Sequence, residues 1–140
     1  MKSVEVIQSF DQPLEKVWKA ITEKDQMKQW FFEDIKDFKA EVGFKTAFDV
    51  AFENRNFRHQ WKITEVIPPV KIKYNWKYGG YAGDSFVTFE LSEQNAKTRL
   101  KLIHEVVQDF PAEEAAFSRK SMQEGWNYLI GQRLKSYLDD

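Results

Sequence analysis

The segment HQWKITEVIPPVKIKYNW, residues 59–76, alternates between large apolar and polar side chains on both sides of a Pro-Pro pair. A period of two places successive side chains on opposite faces of a β-strand, so the segment predicts two strands joined by a turn. Pro68 and Pro69 cannot donate backbone hydrogen bonds, and the pair therefore ends the strand pairing. One face of this hairpin is aromatic and dry, and it carries His59, Trp61, Ile63, Ile72, Tyr74 and Trp76.

The length and charge of the chain exclude several classes of protein. A chain of 140 residues fits one domain, which we place at residues 1–140. The formal net charge is -1, without the basic excess of a nucleic-acid-binding protein. The chain has no cysteine, so disulfides and thiolate chemistry are excluded. The N-terminus lacks the apolar run of a signal peptide, and no stretch is long enough to span a membrane. We therefore expect a cytoplasmic protein with no membrane insertion.

The order of periodic segments predicts an α+β fold. VEVIQSF has the pattern of a first strand, and LEKVWKAI and DQMKQWF have the patterns of two short helices. Alternating segments with a turn around Asn54 follow, and the pattern from Pro111 to about Leu138 predicts a final helix roughly 40 Å long. Gly125 within this helix suggests the close approach of a neighbouring strand or helix. We expect a curved antiparallel β-sheet wrapped around the long C-terminal α-helix, with the two short helices after the first strand.

Aromatic residues make up 16% of the chain, and many should project into the groove between the sheet and the last helix. Trp and Tyr side chains combine apolar area with one polar atom, which suits a mostly apolar binding pocket. Side chains could equally fill the groove completely, so a packed core and an open cavity both remain. The predicted cavity wall consists of Phe48, His59, Trp61, Tyr74, Trp76, Phe89, His104, Met122 and Trp126.

The two histidines, His59 and His104, are the strongest candidates for chemistry, and both should face the interior. They could act as an acid-base pair, or each could simply hydrogen-bond a neighbour at the cavity rim. We favour the second role because Glu65 and Glu105 would face the other side of the sheet and could not orient them. The segment HEVVQ lacks the second histidine of a HExxH zinc site, so we expect no metal, no cofactor and no catalytic residue.

Several segments between Phe10 and Leu138 resemble those of a known family. The segments are QPLEKVWKAIT, MKQWF, EVGFKTAF, WKITEVIPPVKIKYNW, SFVTFELSEQNAKTRLKLIHE and GWNYLIGQRLKSYL. They resemble the activator of Hsp90 ATPase homologue-like family of the START-like (SRPBCC) superfamily. The resemblance implies a single START-like domain with the helix-grip fold, in which a cavity lies between a curved sheet and the C-terminal helix.

Three functions follow in order of preference. The first is binding of a small hydrophobic or aromatic ligand, because relatives in the superfamily bind lipids, sterols or hormones. The second is a chaperone-interacting or stress-response protein, although Hsp90 activators carry an additional N-terminal domain for which 140 residues leave no room. The third is a cyclase-like enzyme that uses His104, Tyr74 and a pocket water. An exposed strand edge or the aromatic run from Trp30 to Phe32 could also support a homodimer.

Overall fold

Six antiparallel strands form one sheet in the computed structural model, which describes residues 2–52 and 55–139. The sheet order is β1-β6-β5-β4-β3-β2, so β2 to β6 form a meander and β1 joins its far edge beside β6. The strands are β1 (Lys2–Phe10), β2 (Lys45–Phe52), β3 (Arg55–Ile67), β4 (Lys71–Tyr78), β5 (Asp84–Gln94) and β6 (Lys97–Gln108). The turn expected at Asn54 lies outside the described residues.

The hairpin of β3 and β4 has the register that its alternation predicts. Trp61 pairs with Trp76 and Ile63 pairs with Tyr74, and all four side chains are buried. The Pro68-Pro69 peptide bond is cis, and the turn closes with the Val70 N–H donating to the Ile67 carbonyl at 2.8 Å. The register shifts between Ile63 and Glu65, an irregularity of the kind that bends a strand.

Two short helices follow the first strand, as expected. They are α1 (Leu14–Thr22) and α2 (Lys24–Trp30). Trp30 at the end of α2 is fully buried and donates its Nε1–H to the Ala20 carbonyl at 2.7 Å. Phe31 is also buried and Phe32 is partly buried. The aromatic run from Trp30 to Phe32 therefore belongs to the core, and the expectation that it could support a dimer surface is wrong.

The long C-terminal helix begins later than the sequence predicts. It consists of three continuous segments, α3 (Arg119–Tyr128), a π-helical stretch (Leu129–Leu134) and α4 (Lys135–Asp139). Ser118 is its N-cap and accepts a hydrogen bond from the Ser121 N–H at 3.1 Å. Pro111 instead opens a turn that leads into a short 3-10 helix, Ala115–Phe117. Pro111 and the glutamates after it are typical of a helix start, but the N-cap that accepts a helix N–H is Ser118, seven residues later.

The sheet and the C-terminal helix enclose the core, so the architecture is the α+β arrangement that we expected. The inner face of β5 and β6 is buried, with Val87, Phe89, Leu91, Leu100, Leu102 and His104 all turned inward. Helix α3 packs against β1, while α2 contacts the π-helical stretch. This leaves the space over β2, β3 and β4 to be covered by side chains or left open.

Candidate functional site

A cavity of about 490 Å³ lies between the sheet and the C-terminal helix. Its wall is mostly apolar and aromatic, and the exposed side chains of Phe52 and Tyr128 stand at its mouth. The wall residues are Phe31, Phe32, Val50, Ala51, Phe52, Phe57, His59, Trp76, Tyr78, His104, Ala116, Phe117, Ser121, Met122, Gly125, Trp126, Tyr128, Leu129 and Arg133.

The structure brings together five of the nine residues that the sequence proposed for the wall. They are His59, Trp76, His104, Met122 and Trp126. The other four are buried but lie outside the wall, so their placement in the cavity lining is corrected. They are Phe48, Trp61, Tyr74 and Phe89.

Phe31 explains why the groove is filled on one side and open on the other. The ring centroid of Phe31 lies 5.3 Å from that of Trp61, 6.2 Å from that of Phe89 and 5.7 Å from that of Trp126. A second loop residue, Phe38, covers Tyr74 at 6.1 Å. Both rings come from the segment between α1 and β2, so the alternating pattern of the strands does not predict that they cover the sheet. The aromatic run from Trp30 to Phe32 is the available signal, although the sequence suggests a dimer surface there.

His104 is held in a complete hydrogen-bond chain. The Trp126 Nε1–H donates to His104 Nδ1 at 3.0 Å, so Nδ1 is the acceptor and Nε2 carries the proton. His104 Nε2 then donates to the Ser85 hydroxyl at 2.9 Å, which donates in turn to the Trp76 carbonyl at 2.6 Å. Burial lowers the pKa of His104 to about 3, with a smaller contribution from the nearby His59. Both ring nitrogens are occupied, which suits a clamp between helix and sheet and gives no free base.

His59 has one occupied and one unoccupied nitrogen. Its Nδ1 lies 3.1 Å from the Phe57 carbonyl, which can only accept, so Nδ1 carries the proton. Burial lowers the pKa of His59 to about 4, although the Phe57 carbonyl and Asp49 act in the opposite direction. The ring is therefore neutral near pH 7, and Nε2 is a hydrogen-bond acceptor without a partner among the described residues.

The arrangement required by the cyclase-like alternative does not form. Tyr74 is fully buried outside the cavity wall, and its hydroxyl has no hydrogen-bond partner among the described residues. Burial raises the pKa of Tyr74 well above its usual value. Both ring nitrogens of His104 are already hydrogen-bonded, one to Trp126 and the other to Ser85. The two residues that this mechanism paired therefore do not share access to the cavity.

Gly125 lies in the cavity wall rather than at a close contact between elements. A Cβ built on Gly125 would meet no atom within 4 Å, so the expected close approach of a strand or helix is absent. The space beside this glycine belongs to the cavity instead.

Arg133 supplies the one charged side chain among the described wall residues, while His59 and His104 are held neutral. It lies in the π-helical stretch and donates its Nη2–H to the Gln29 carbonyl at 2.9 Å. Within residues 2–52 and 55–139, no group of three or more His, Cys, Asp or Glu side chains could hold a metal ion. In the same residues, no helix is long and apolar enough to cross a membrane.

Comparison with known families identifies the fold. The family model "Activator of Hsp90 ATPase homolog 1-like protein" matches residues 11–139 of the chain. The chain belongs to this family. No curated protein matches it significantly.

Solved structures of similar proteins share the helix-grip fold of this family member. BH1534 from Bacillus halodurans is 27% identical, with a TM-score of 0.78, and the match covers 99% of this chain and 97% of that chain. Mll3558 from Rhizobium loti is 18% identical, with a TM-score of 0.84, and the match covers 98% of this chain and 96% of that chain. The Aha1 dimer from Colwellia psychrerythraea is 20% identical, with a TM-score of 0.73 and coverage of 99% and 96%.

Proposed function

We propose that this protein binds a small hydrophobic or aromatic molecule in the cavity between the sheet and the C-terminal helix. The observation that carries the proposal is the cavity itself, about 490 Å³ in volume and lined mainly by aromatic side chains. Ligand sites in proteins have volumes of about 300–1,000 Å³, with apolar walls and a few polar groups that fix orientation. His59 and Arg133 are polar groups of this kind in an otherwise mostly apolar wall.

Gly125 allows the cavity to be blocked without disturbing the fold. Because a Cβ at this position would meet nothing within 4 Å, the larger side chain of Gly125→Leu can extend into the cavity. The same change removes a glycine from a helix and should stabilise that helix by up to about 1 kcal/mol. We expect Gly125→Leu to bind a hydrophobic fluorescent probe such as Nile red at least tenfold more weakly, with no loss of thermal stability.

Gly125→Ala is the matched control for this experiment. It gives a similar gain in helix propensity but fills far less of the cavity, so probe affinity should fall much less. Mass spectrometry of a denaturing extract from the purified protein would show whether a ligand is retained from the host. If Gly125→Leu binds the probe as tightly as the unchanged protein, the probe is not in the cavity and the proposal fails.

A chaperone-interacting role is the second candidate, and the family match is the observation that favours it. Such a role depends on an exposed surface, not on the cavity. Retention of the host Hsp90 homologue by the immobilised protein, undiminished by Gly125→Leu, would support this candidate over ligand binding.

We also infer that a homodimer is compatible with this fold. The likeness to the Aha1 dimer from Colwellia psychrerythraea supports the inference at the level of the fold. Within the aromatic run, Trp30 and Phe31 are buried and Phe32 is partly buried, so we do not assign this run to a dimer surface.

A further inference from the structure

The two histidines of the cavity wall carry their protons on opposite nitrogens. His104 has its proton on Nε2, and both of its nitrogens are bound by neighbours. His59 has its proton on Nδ1, because the Phe57 carbonyl beside that nitrogen can only accept. The histidine with an unused nitrogen is therefore His59, and that nitrogen is an acceptor.

The unused Nε2 of His59 faces the cavity. The ring is 6% exposed and belongs to the wall, yet Nε2 is not among the polar atoms sealed in the core without a partner. Aromatic neighbours in the wall surround the imidazole, with ring centroids 5.1 Å away at Phe32, 5.4 Å away at Trp76 and 5.0 Å away at Tyr78. A polar atom in such surroundings gains from a partner, because an unpaired acceptor in an apolar site is costly.

The other polar groups of the wall differ from His59 in what they can accept. The hydroxyl groups of Ser121, Tyr78 and Tyr128 can rotate to donate or accept, while Arg133 and the indole N–H of Trp76 can only donate. His59 Nε2 can only accept while the ring is neutral. Among the described wall residues, His59 Nε2 is thus the side-chain atom that has no hydrogen-bond partner and that only a donor can satisfy.

We propose that His59 Nε2 is the polar anchor of the cavity and selects aromatic ligands that carry a hydrogen-bond donor, such as a phenolic hydroxyl. The aromatic side chains around His59 can pack against the ring of the ligand, and the hydrogen bond to Nε2 orients the hydroxyl group of the ligand toward β3. This inference rests on the proposed binding function and adds the chemical class of the ligand to it.

A matched pair of probes tests the anchor. 2-Naphthol and 2-methoxynaphthalene share a bicyclic ring, but only the first can donate to Nε2. We expect calorimetry at pH 7 to show 2-naphthol binding about tenfold more tightly, the factor that corresponds to about 1.4 kcal/mol for one satisfied hydrogen bond. In His59→Phe the ratio of the two affinities should fall to about one, while in Tyr74→Phe, a change outside the wall, it should persist.

NMR of the unchanged protein, labelled with a nitrogen isotope, gives a readout that does not depend on the folding of any variant. Long-range proton-nitrogen spectra should show the proton on Nδ1 in His59 and on Nε2 in His104, and 2-naphthol should shift the Nε2 resonance of His59. A proton on His59 Nε2, or equal affinity of the unchanged protein for both probes, would overturn the anchor while leaving ligand binding intact. Binding of neither probe would overturn both the anchor and the proposed function.

Discussion

Three buried polar atoms in the aromatic core have no hydrogen-bond partner among the described residues. They are Trp61 Nε1, Tyr74 Oη and Trp76 Nε1, on the adjacent strands β3 and β4. A buried donor without a partner costs about 1–3 kcal/mol of folding free energy. The rings of these residues fill the buried aromatic core, and the protein is less stable than its packing alone would allow.

Tyr74→Phe tests this cost directly, because it removes the hydroxyl and keeps the ring. We expect the free energy of unfolding in urea to rise by about 1 kcal/mol, since an unsatisfied buried group is removed without leaving a large void. Tyr128→Phe is the control, because Tyr128 is an exposed cavity-wall residue and removal of its hydroxyl should change stability by less than about 0.5 kcal/mol. A clear loss of stability in Tyr74→Phe would show that the hydroxyl is bonded to a buried water.

At the scale of single residues, the sequence predicted which side chains point inward but not what they meet there. The alternation placed both His59 and His104 on the inner face, and both are buried. Their different roles depend on Trp126, which lies on the C-terminal helix and reaches only one of them. Contacts between residues so distant in sequence have no periodic signature.

Among the elements, the C-terminal helix depends most on one side chain. Trp126 is 4% exposed, bonds His104 and packs its ring 5.5 Å from Trp76 and 6.1 Å from Phe89. Trp126→Ala should lower the free energy of unfolding by roughly 3–5 kcal/mol, because it joins a large void to the existing cavity. Urea unfolding would measure the loss.

Trp126→Phe separates the ring from its hydrogen bond. It keeps most of the ring and leaves His104 Nδ1 unpaired, so the expected loss is smaller, about 1–3 kcal/mol. A loss under about 1 kcal/mol in Trp126→Ala would contradict the role of Trp126 as the anchor of helix against sheet.

The start of the same helix shows where element prediction failed. Proline and acidic residues at Pro111 to Glu114 have the composition of a helix N-terminus, but the chain makes a turn and a 3-10 helix there. The turn and the 3-10 helix place Phe117 in the cavity wall, with its ring centroid 4.7 Å from that of Tyr78. Helix propensity depends only on the local sequence, so it cannot predict a contact with Tyr78 on the distant strand β4.

For the molecule as a whole, the two neutral histidines make stability depend on pH. The unfolded chain binds a proton on each histidine below pH 6.5, whereas burial holds the folded pKa at about 4 for His59 and about 3 for His104. The stability that comes from burying two neutral histidines is therefore complete above pH 6.5. It is lost as the pH falls from 6.5 toward the two folded-state pKa values. Between pH 7 and pH 5 we expect a loss of roughly 2 kcal/mol per histidine, measured by urea unfolding at both pH values.

His59→Gln checks the origin of this pH dependence. Glutamine does not titrate, so the difference in stability between pH 7 and pH 5 should shrink by about half, whatever the absolute stability of the variant. Equal stability of the unchanged protein at the two pH values would contradict the neutral, buried state of both rings.

The sequence by itself determined the strands, the two short helices, the inward faces and the family, because each follows from local periodicity or from motifs spread along the chain. The tertiary structure alone decided that the groove of the β3–β4 hairpin is filled around Trp61 and Tyr74 but open beside Trp76. The physical reason is that a cavity is the volume left between elements after packing. Here that volume is set by Phe31, a loop residue placed by α2, and by a glycine on the C-terminal helix.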